Sequence, residues 1–133
     1  MSDDTHSAAT TEGIRIEVQS FYLAARSQPA ANRYVFAYRV RISNVDHDGP
    51  VTLKTRHWVI TNQLGKREEV RGAGVVGEQP ELAPGQSFEY TSGAMLQTPR
   101  GTMHGSYQMH RPDGRVVEAQ IAPFGLSVPF SLN

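Results

Sequence analysis

From Ile14 onward, apolar residues return at every second position, the period of a strand that buries one face. Ile14, Ile16 and Val18 alternate with Arg15, Glu17 and Gln19. Tyr34, Phe36, Tyr38, Val40 and Ile42 repeat the pattern, with Arg39, Arg41 and Ser43 between them. Further strands are predicted over 51–61, 66–71, 86–96, 103–110 and 115–121, with 126–132 continuing the last after a break at Pro123 and Gly125. Turn signals separate them: Ser27-Gln28-Pro29, Asp48-Gly49-Pro50, Leu64-Gly65, Pro84-Gly85, Pro99-Arg100-Gly101 and Pro112-Asp113-Gly114. About seven strands with a turn every dozen residues or so, and no amphipathic helix, predict an all-β fold, an antiparallel β-sandwich. A closed barrel is the alternative.

One stretch breaks the alternation. Leu53, Thr55, His57 and Val59 share one parity while Lys54, Arg56, Trp58 and Ile60 share the other, so both faces carry bulky residues. Either a bulge near Arg56 switches the face, or Trp58 points outward as part of a binding surface. A Trp58 buried between sheets is favoured, because tryptophan is mostly buried on average. Before the first strand, residues 1–13 carry Ser2, Asp3, Asp4, Thr5, Ser7 and Glu12, with neither a basic start nor an apolar run. They are expected to form a disordered tail rather than a secretory signal, leaving 14–133 as a single domain.

Composition narrows the chemistry. A length of 133 residues supports one core. Zero cysteines exclude disulfides, thiolate metal sites and cysteine nucleophiles, and with no signal and no membrane span they point to the cytoplasm. Thirteen basic and thirteen acidic residues cancel, and the basic ones are spread from Arg15 to Arg115, which argues against a nucleic-acid footprint.

Gly72-Ala73-Gly74-Val75-Val76-Gly77 satisfies the G-x-G-x-x-G spacing of dinucleotide sites. The helix that such a site needs is blocked by Pro80 and Pro84, and Glu78 and Glu81 bring negative charge to where phosphate would sit. What survives is a loop of backbone amides able to hold a small anion beside Arg71, with Gly72, Gly74 and Gly77 as ligand-binding candidates. A tight connection needing positive backbone φ angles explains the same letters and is favoured. Asn44-Val45-Asp46-His47-Asp48-Gly49 resembles the first half of an EF-hand loop, but Thr55 stands where the bidentate Glu belongs. The turn is better read as an Asp-Gly hairpin, with a weak divalent site through Asp46, His47 and Asp48 as the lesser reading. His57, His104 and His110 fall on separate strands, Ser92 and Ser106 lack a local activating partner, and Glu68 and Glu69 point to opposite faces. No catalytic residue, metal site or cofactor is nominated.

At larger scale the chain resembles the ApaG family. Tyr34-Val35-Phe36-Ala37-Tyr38, Arg56-His57-Trp58-Val59-Ile60-Thr61 and the run from Val70 to Pro80 carry the resemblance. It continues through Leu82 to Gly93 and Thr98 to Tyr107, so it covers nearly everything after the tail. The resemblance implies an immunoglobulin/fibronectin type III-like sandwich. It also implies small bacterial proteins linked genetically to cobalt and magnesium resistance or efflux, with related domains in eukaryotic F-box proteins where substrate recognition is the expected role. The family's pyrophosphate-binding element would map onto Gly72, Gly74 and Gly77. Family members are not established enzymes. Two functions follow as expectations. The first is a non-enzymatic protein-interaction module that uses outward aromatics such as Trp58 and Tyr107, with homodimerisation through sandwich edges as a variant. The second is small-anion or nucleotide binding at the glycine loop, with a divalent ion. Any effect on metal efflux is indirect in a chain without a membrane span.

Overall fold

The computed structural model describes residues 5–46 and 48–129. Among them nine strands form two antiparallel sheets. One sheet holds β1 (His6–Thr11), β2 (Ile14–Tyr22), β3 (Tyr34–Asn44) and β7 (Ser87–Leu96), in the order β1-β2-β3-β7. The other holds β5 (Arg67–Ala73), β4 (Val51–Asn62), β8 (Arg100–His110) and β9 (Val116–Ser127), in the order β5-β4-β8-β9. A two-residue β6 (Glu81–Leu82) pairs with the start of β4. The three strands β2-β3-β7 facing the four strands β5-β4-β8-β9 make the immunoglobulin/fibronectin type III-like arrangement. The barrel alternative is set aside by the separation into two sheets.

The seven predicted strands are present, the last ending at Ser127; residues 130–132 of its expected continuation lie outside the described residues. The two additional ones correct the sequence reading. Residues 6–11, expected in the tail, form β1, which pairs with β2 from His6 opposite Gln19 to Thr11 opposite Ile14. A Glu12-Gly13 turn joins them, both residues at positive φ. The polar composition of β1 misled because this strand lies outside the main core and is held largely by backbone and hydroxyl bonds: Ser7 Oγ donates to the Ala122 carbonyl at 2.8 Å, and the Gln120 amide donates to Thr11 Oγ1 at 3.1 Å. The break expected at Pro123 and Gly125 is a bulge instead. In the β8–β9 pair, Met103 faces Phe124 and Gly105 faces Ile121, so Ala122 and Pro123 together oppose His104. A bulge accommodates a proline that has no N–H for the ladder.

The parity conflict on β4 is resolved the same way. Leu53 pairs with Met109 but Thr55 pairs with Gln108, leaving Lys54 as an extra residue. The bulge switches the face, so Leu53 before it and Trp58 after it both point inward. Trp58 is 2% exposed and Tyr107 is 0% exposed. Both therefore belong to the core, which removes them from any exposed interaction surface: at position 58 the favoured buried reading holds, and at position 107 the outward expectation is corrected. The indole packs edge-on against Tyr38, Tyr107 and Phe124, with ring centroids 5.1, 6.3 and 5.9 Å away. Such pairs add about 0.5–1.5 kcal/mol each beyond the area they bury.

The two long sides of the sandwich differ. On one side β1 and β2 pack closely against β9, and Ser20 Oγ bonds the Gly125 carbonyl at 2.7 Å. On the other, β5 and β7 make no comparable contact, so the sheets part there.

Candidate functional site

The glycine loop sits on the open side. Gly72 and Ala73 still belong to β5, opposite Arg56 and Thr55 on β4. The chain then reverses in a two-residue turn in which Val75 and Glu78 exchange backbone bonds of 2.8 Å in both directions. Val76 and Gly77 occupy its centre at φ 42° and 80°, as a primed hairpin turn requires. Gly74, at φ 64°, is required for a second reason: a Cβ there would strike the Glu78 carbonyl oxygen. Gly72 serves a third purpose. The Arg56 guanidinium lies across it, and a Cβ at 72 would come within 2.7 Å of Arg56 Nη2. From that position Arg56 Nη1 donates to the carbonyls of Ala73 and Gly74 at 3.0 and 2.8 Å. Each glycine thus has a conformational or packing role, in keeping with the tight-connection reading.

The four candidate ligand residues do not share one surface. Arg71 faces the outside of its sheet, where Nη2 lies 3.5 Å from Glu69 Oε1. With Gly72 it lines a shallow outer groove. Gly77 lines a separate cavity between the sheets. Several loop amides are already spent: that of Gly74 on the Lys54 carbonyl at 2.9 Å, and those of Val75 and Glu78 on each other's carbonyls.

The outer face carries a polar row. His57 Nε2 meets Glu69 Oε1 at 2.8 Å, and Arg67 and Arg71 flank the same carboxylate at 3.7 and 3.5 Å. The hydrogen bond from His57, with the two arginines, holds the Glu69 carboxyl below its ordinary value. Ser106 is the cross-strand neighbour of His57, yet its hydroxyl donates to Glu118 Oε2 at 3.1 Å, so the histidine does not activate it. The two faces of this strand therefore hold an ion-pair row outside and a ring cluster inside.

The cavity between the sheets is the more enclosed chemistry. Tyr38, Tyr90 and Ser92 come from one sheet, Arg56 and Trp58 from the other, and the Val75–Gly77 turn closes one side. Beneath it the hydroxyls of Tyr90 and Tyr107 hydrogen-bond to each other. Burial raises the pKa values of Tyr38, Tyr90 and Tyr107, so all three stay protonated; the Ser92 hydroxyl and Arg56 moderate the rise at Tyr38. Among the described residues Trp58 Nε1 is buried without a hydrogen-bond partner of good geometry, although it lies near enough to the Tyr90 hydroxyl to moderate the rise in that group's pKa. Sequence reasoning named Trp58 and Tyr107 but not Tyr38, Tyr90, Ser92 or Arg56 as site residues. Only the alternation of Tyr38 and Tyr90 within apolar runs hinted that they pointed inward.

The turn after β3 has a structural task. Asp46 Oδ2 pairs with Arg111 Nη2 at 3.1 Å, and the same nitrogen bonds the Glu12 carbonyl at 3.0 Å, tying the β1–β2 turn to the β3–β4 connection. His47, the middle residue of the candidate divalent site, lies outside the described residues. Among the described residues, no three His, Asp or Glu side chains converge as metal ligands, and no helix is long and apolar enough to cross a membrane.

Fold and site together define a two-sheet β-sandwich domain with a tyrosine-rich cavity on its open side. The family model that matches residues 24–111 is that of the ApaG domain, and the chain belongs to the ApaG family. It is 51% identical over 127 residues to the Protein ApaG of Anaeromyxobacter dehalogenans strain 2CP-C, covering 96% of this chain and 99% of that one. To the Protein ApaG of Thiobacillus denitrificans it is 54% identical over 122 residues, 90% of this chain and 94% of the relative. A Bordetella pertussis crystal structure assigned as an ApaA protein superposes with a TM-score of 0.84 at 42% identity, over 98% of this chain and all of that one.

Proposed function

We propose that this domain is a non-enzymatic protein-interaction module whose partner adds a strand to the β5 edge. The observation that carries this is the state of β5: it ends its sheet, and six of its seven residues are exposed, all but Gly72. Among the described residues, one backbone edge of this strand has no neighbouring strand, and strand addition is the recognition mode it offers. Arg67, Glu68, Glu69 and Arg71 put mixed charge along the edge, which disfavours indiscriminate pairing and selects a partner of complementary pattern. A homodimer through β5 is the special case in which that partner is a second copy. The family's genetic link to cobalt and magnesium resistance would then run through the partner.

The test is amide hydrogen exchange on the domain bound to a partner recovered by crosslinking in the cell. Slowed exchange confined to Arg67–Ala73 is the expected result. Protection at β1 instead, the edge of the other sheet, would overturn the assignment, as would unchanged exchange along β5.

A further inference from the structure

Strand addition at β5 leaves the cavity between the sheets unused. It encloses about 220 Å³, a volume of roughly seven waters. Its charge is one-sided. Arg56 and the Trp58 indole can only donate, while the tyrosine and serine hydroxyls can donate or accept. Arg56 is the one charged residue lining the cavity. Its Nη1 is committed to the Ala73 and Gly74 carbonyls, and among the described residues no carboxylate pairs with it. The buried indole N–H has no hydrogen-bond partner of good geometry among the described residues, so its dipole adds to the positive potential of the guanidinium.

A guest that brings acceptors and negative charge therefore finds partners here. One guanidinium matches a single negative charge, whereas a phosphate dianion would sit half compensated in a partly enclosed site. The remaining wall is apolar: Val75, Val76 and the rings of Tyr38, Trp58 and Tyr90. That surface suits a hydrocarbon group, which an inorganic anion lacks. We propose that this cavity binds a small organic monocarboxylate, with Arg56 as counter-ion to the carboxylate and Val75, Val76 and the aromatic rings around the hydrocarbon part. Gly72 enables the site, because only a residue without Cβ lets the guanidinium lie across β5.

The protein reports on the site itself, since Trp58 is its sole tryptophan. Propionate, isobutyrate and benzoate are titrated at constant ionic strength, following the indole N–H and arginine Nε–H resonances, with propionamide, phosphate and pyrophosphate as comparisons. The expected result is saturable movement of the Trp58 and Arg56 signals with half-saturation at roughly 1–10 mM, as suits a ligand of few atoms. Arg56→Gln should weaken binding at least about tenfold, through loss of charge-assisted hydrogen bonds. Should that variant fold poorly, Ser92→Ala removes a wall hydroxyl without touching the glycine turn and should weaken binding about two- to fivefold. Arg41→Gln, which alters only an exposed pair with Glu89, should bind as the native chain does. Absence of saturation, an equal response to propionamide, tighter binding of phosphate or pyrophosphate, or native-like binding by both a folded Arg56→Gln and Ser92→Ala would overturn the proposal. None of these outcomes bears on strand addition, which is read at the β5 amides.

Discussion

The three buried tyrosines make alkaline stability the sharpest quantitative handle on this fold. Tyr38, Tyr90 and Tyr107 all have pKa values raised above the ordinary 10, chiefly because burial penalises phenolate. A group whose folded pKa is raised contributes stability that is complete below its unfolded pKa, near pH 10, and is lost as pH climbs toward the folded value. In that window the unfolded chain releases three protons that the folded chain retains. Each contributes a slope that approaches about 1.4 kcal/mol per pH unit as the unfolded phenol ionises, so stability should fall by about 2 kcal/mol per unit at pH 10 and by up to about 4 above it while all three folded phenols keep their protons. A domain of roughly 5–15 kcal/mol then unfolds within a few pH units. Tyr90 and Tyr107 share a hydrogen bond and release their protons as a coupled pair. Tyr107→Phe removes one linked proton, so the slope should drop by about 1.4 kcal/mol per unit. At neutral pH it should cost about 1–3 kcal/mol, because the Tyr90 hydroxyl loses its partner in the core. Urea midpoints followed by Trp58 fluorescence between about pH 8 and 11.5, beside the ultraviolet absorbance of tyrosinate, measure both quantities. Equal slopes for native protein and Tyr107→Phe would refute the reasoning, as would all three tyrosines ionising near pH 10 in a chain that stays folded.

Arg111→Met should destabilise the domain by about 1–3 kcal/mol, since it removes the charge-assisted bonds to the Asp46 carboxylate and the Glu12 carbonyl; thermal denaturation measures the loss, and hydrogen exchange should accelerate around the Glu12-Gly13 turn. Gly74→Ala, which combines a positive φ with a clash against the Glu78 backbone, should cost about 2 kcal/mol or more in the urea midpoint. Gly77→Ala meets only the positive φ and open space, and should cost about 1 kcal/mol; a reversed order would contradict the turn geometry. Gly72→Ala should lower stability by about 1 kcal/mol or less, because the clash falls on the flexible end of Arg56, yet it should move the arginine Nε–H resonance clearly.

The sandwich was legible in the period-two runs because each strand on its own buries one face, and that requirement is written locally. The alternation of Ile14, Ile16 and Val18, and of Phe36, Tyr38, Val40 and Ile42, marks core positions that are at most 6% exposed in the fold. The failures have one cause: they depend on partners far away in sequence. The polar segment His6–Thr11 reads as tail because its stability comes from β2 and from carbonyls and amides on β9, more than a hundred residues away. The bulge at Lys54 could be posed as one of two answers but not chosen, since the choice rests on what Trp58 packs against.

The candidate site divides along the same line. Gly72, Gly74 and Gly77 were visible as a motif, and their turn role follows from backbone sterics, so the sequence alone favoured a tight connection over a nucleotide site. Arg56, Tyr38, Tyr90 and Ser92 carry no motif. They meet only because β4 is bulged, β5 presents a glycine opposite Arg56, and the sheets separate between β5 and β7. Periodicity determines which face of a strand each residue takes, because that is a property of one strand. Which faces meet, and what chemistry their meeting creates, was decided by the tertiary structure, where sheet order and bulges set the distances between residues no local pattern connects.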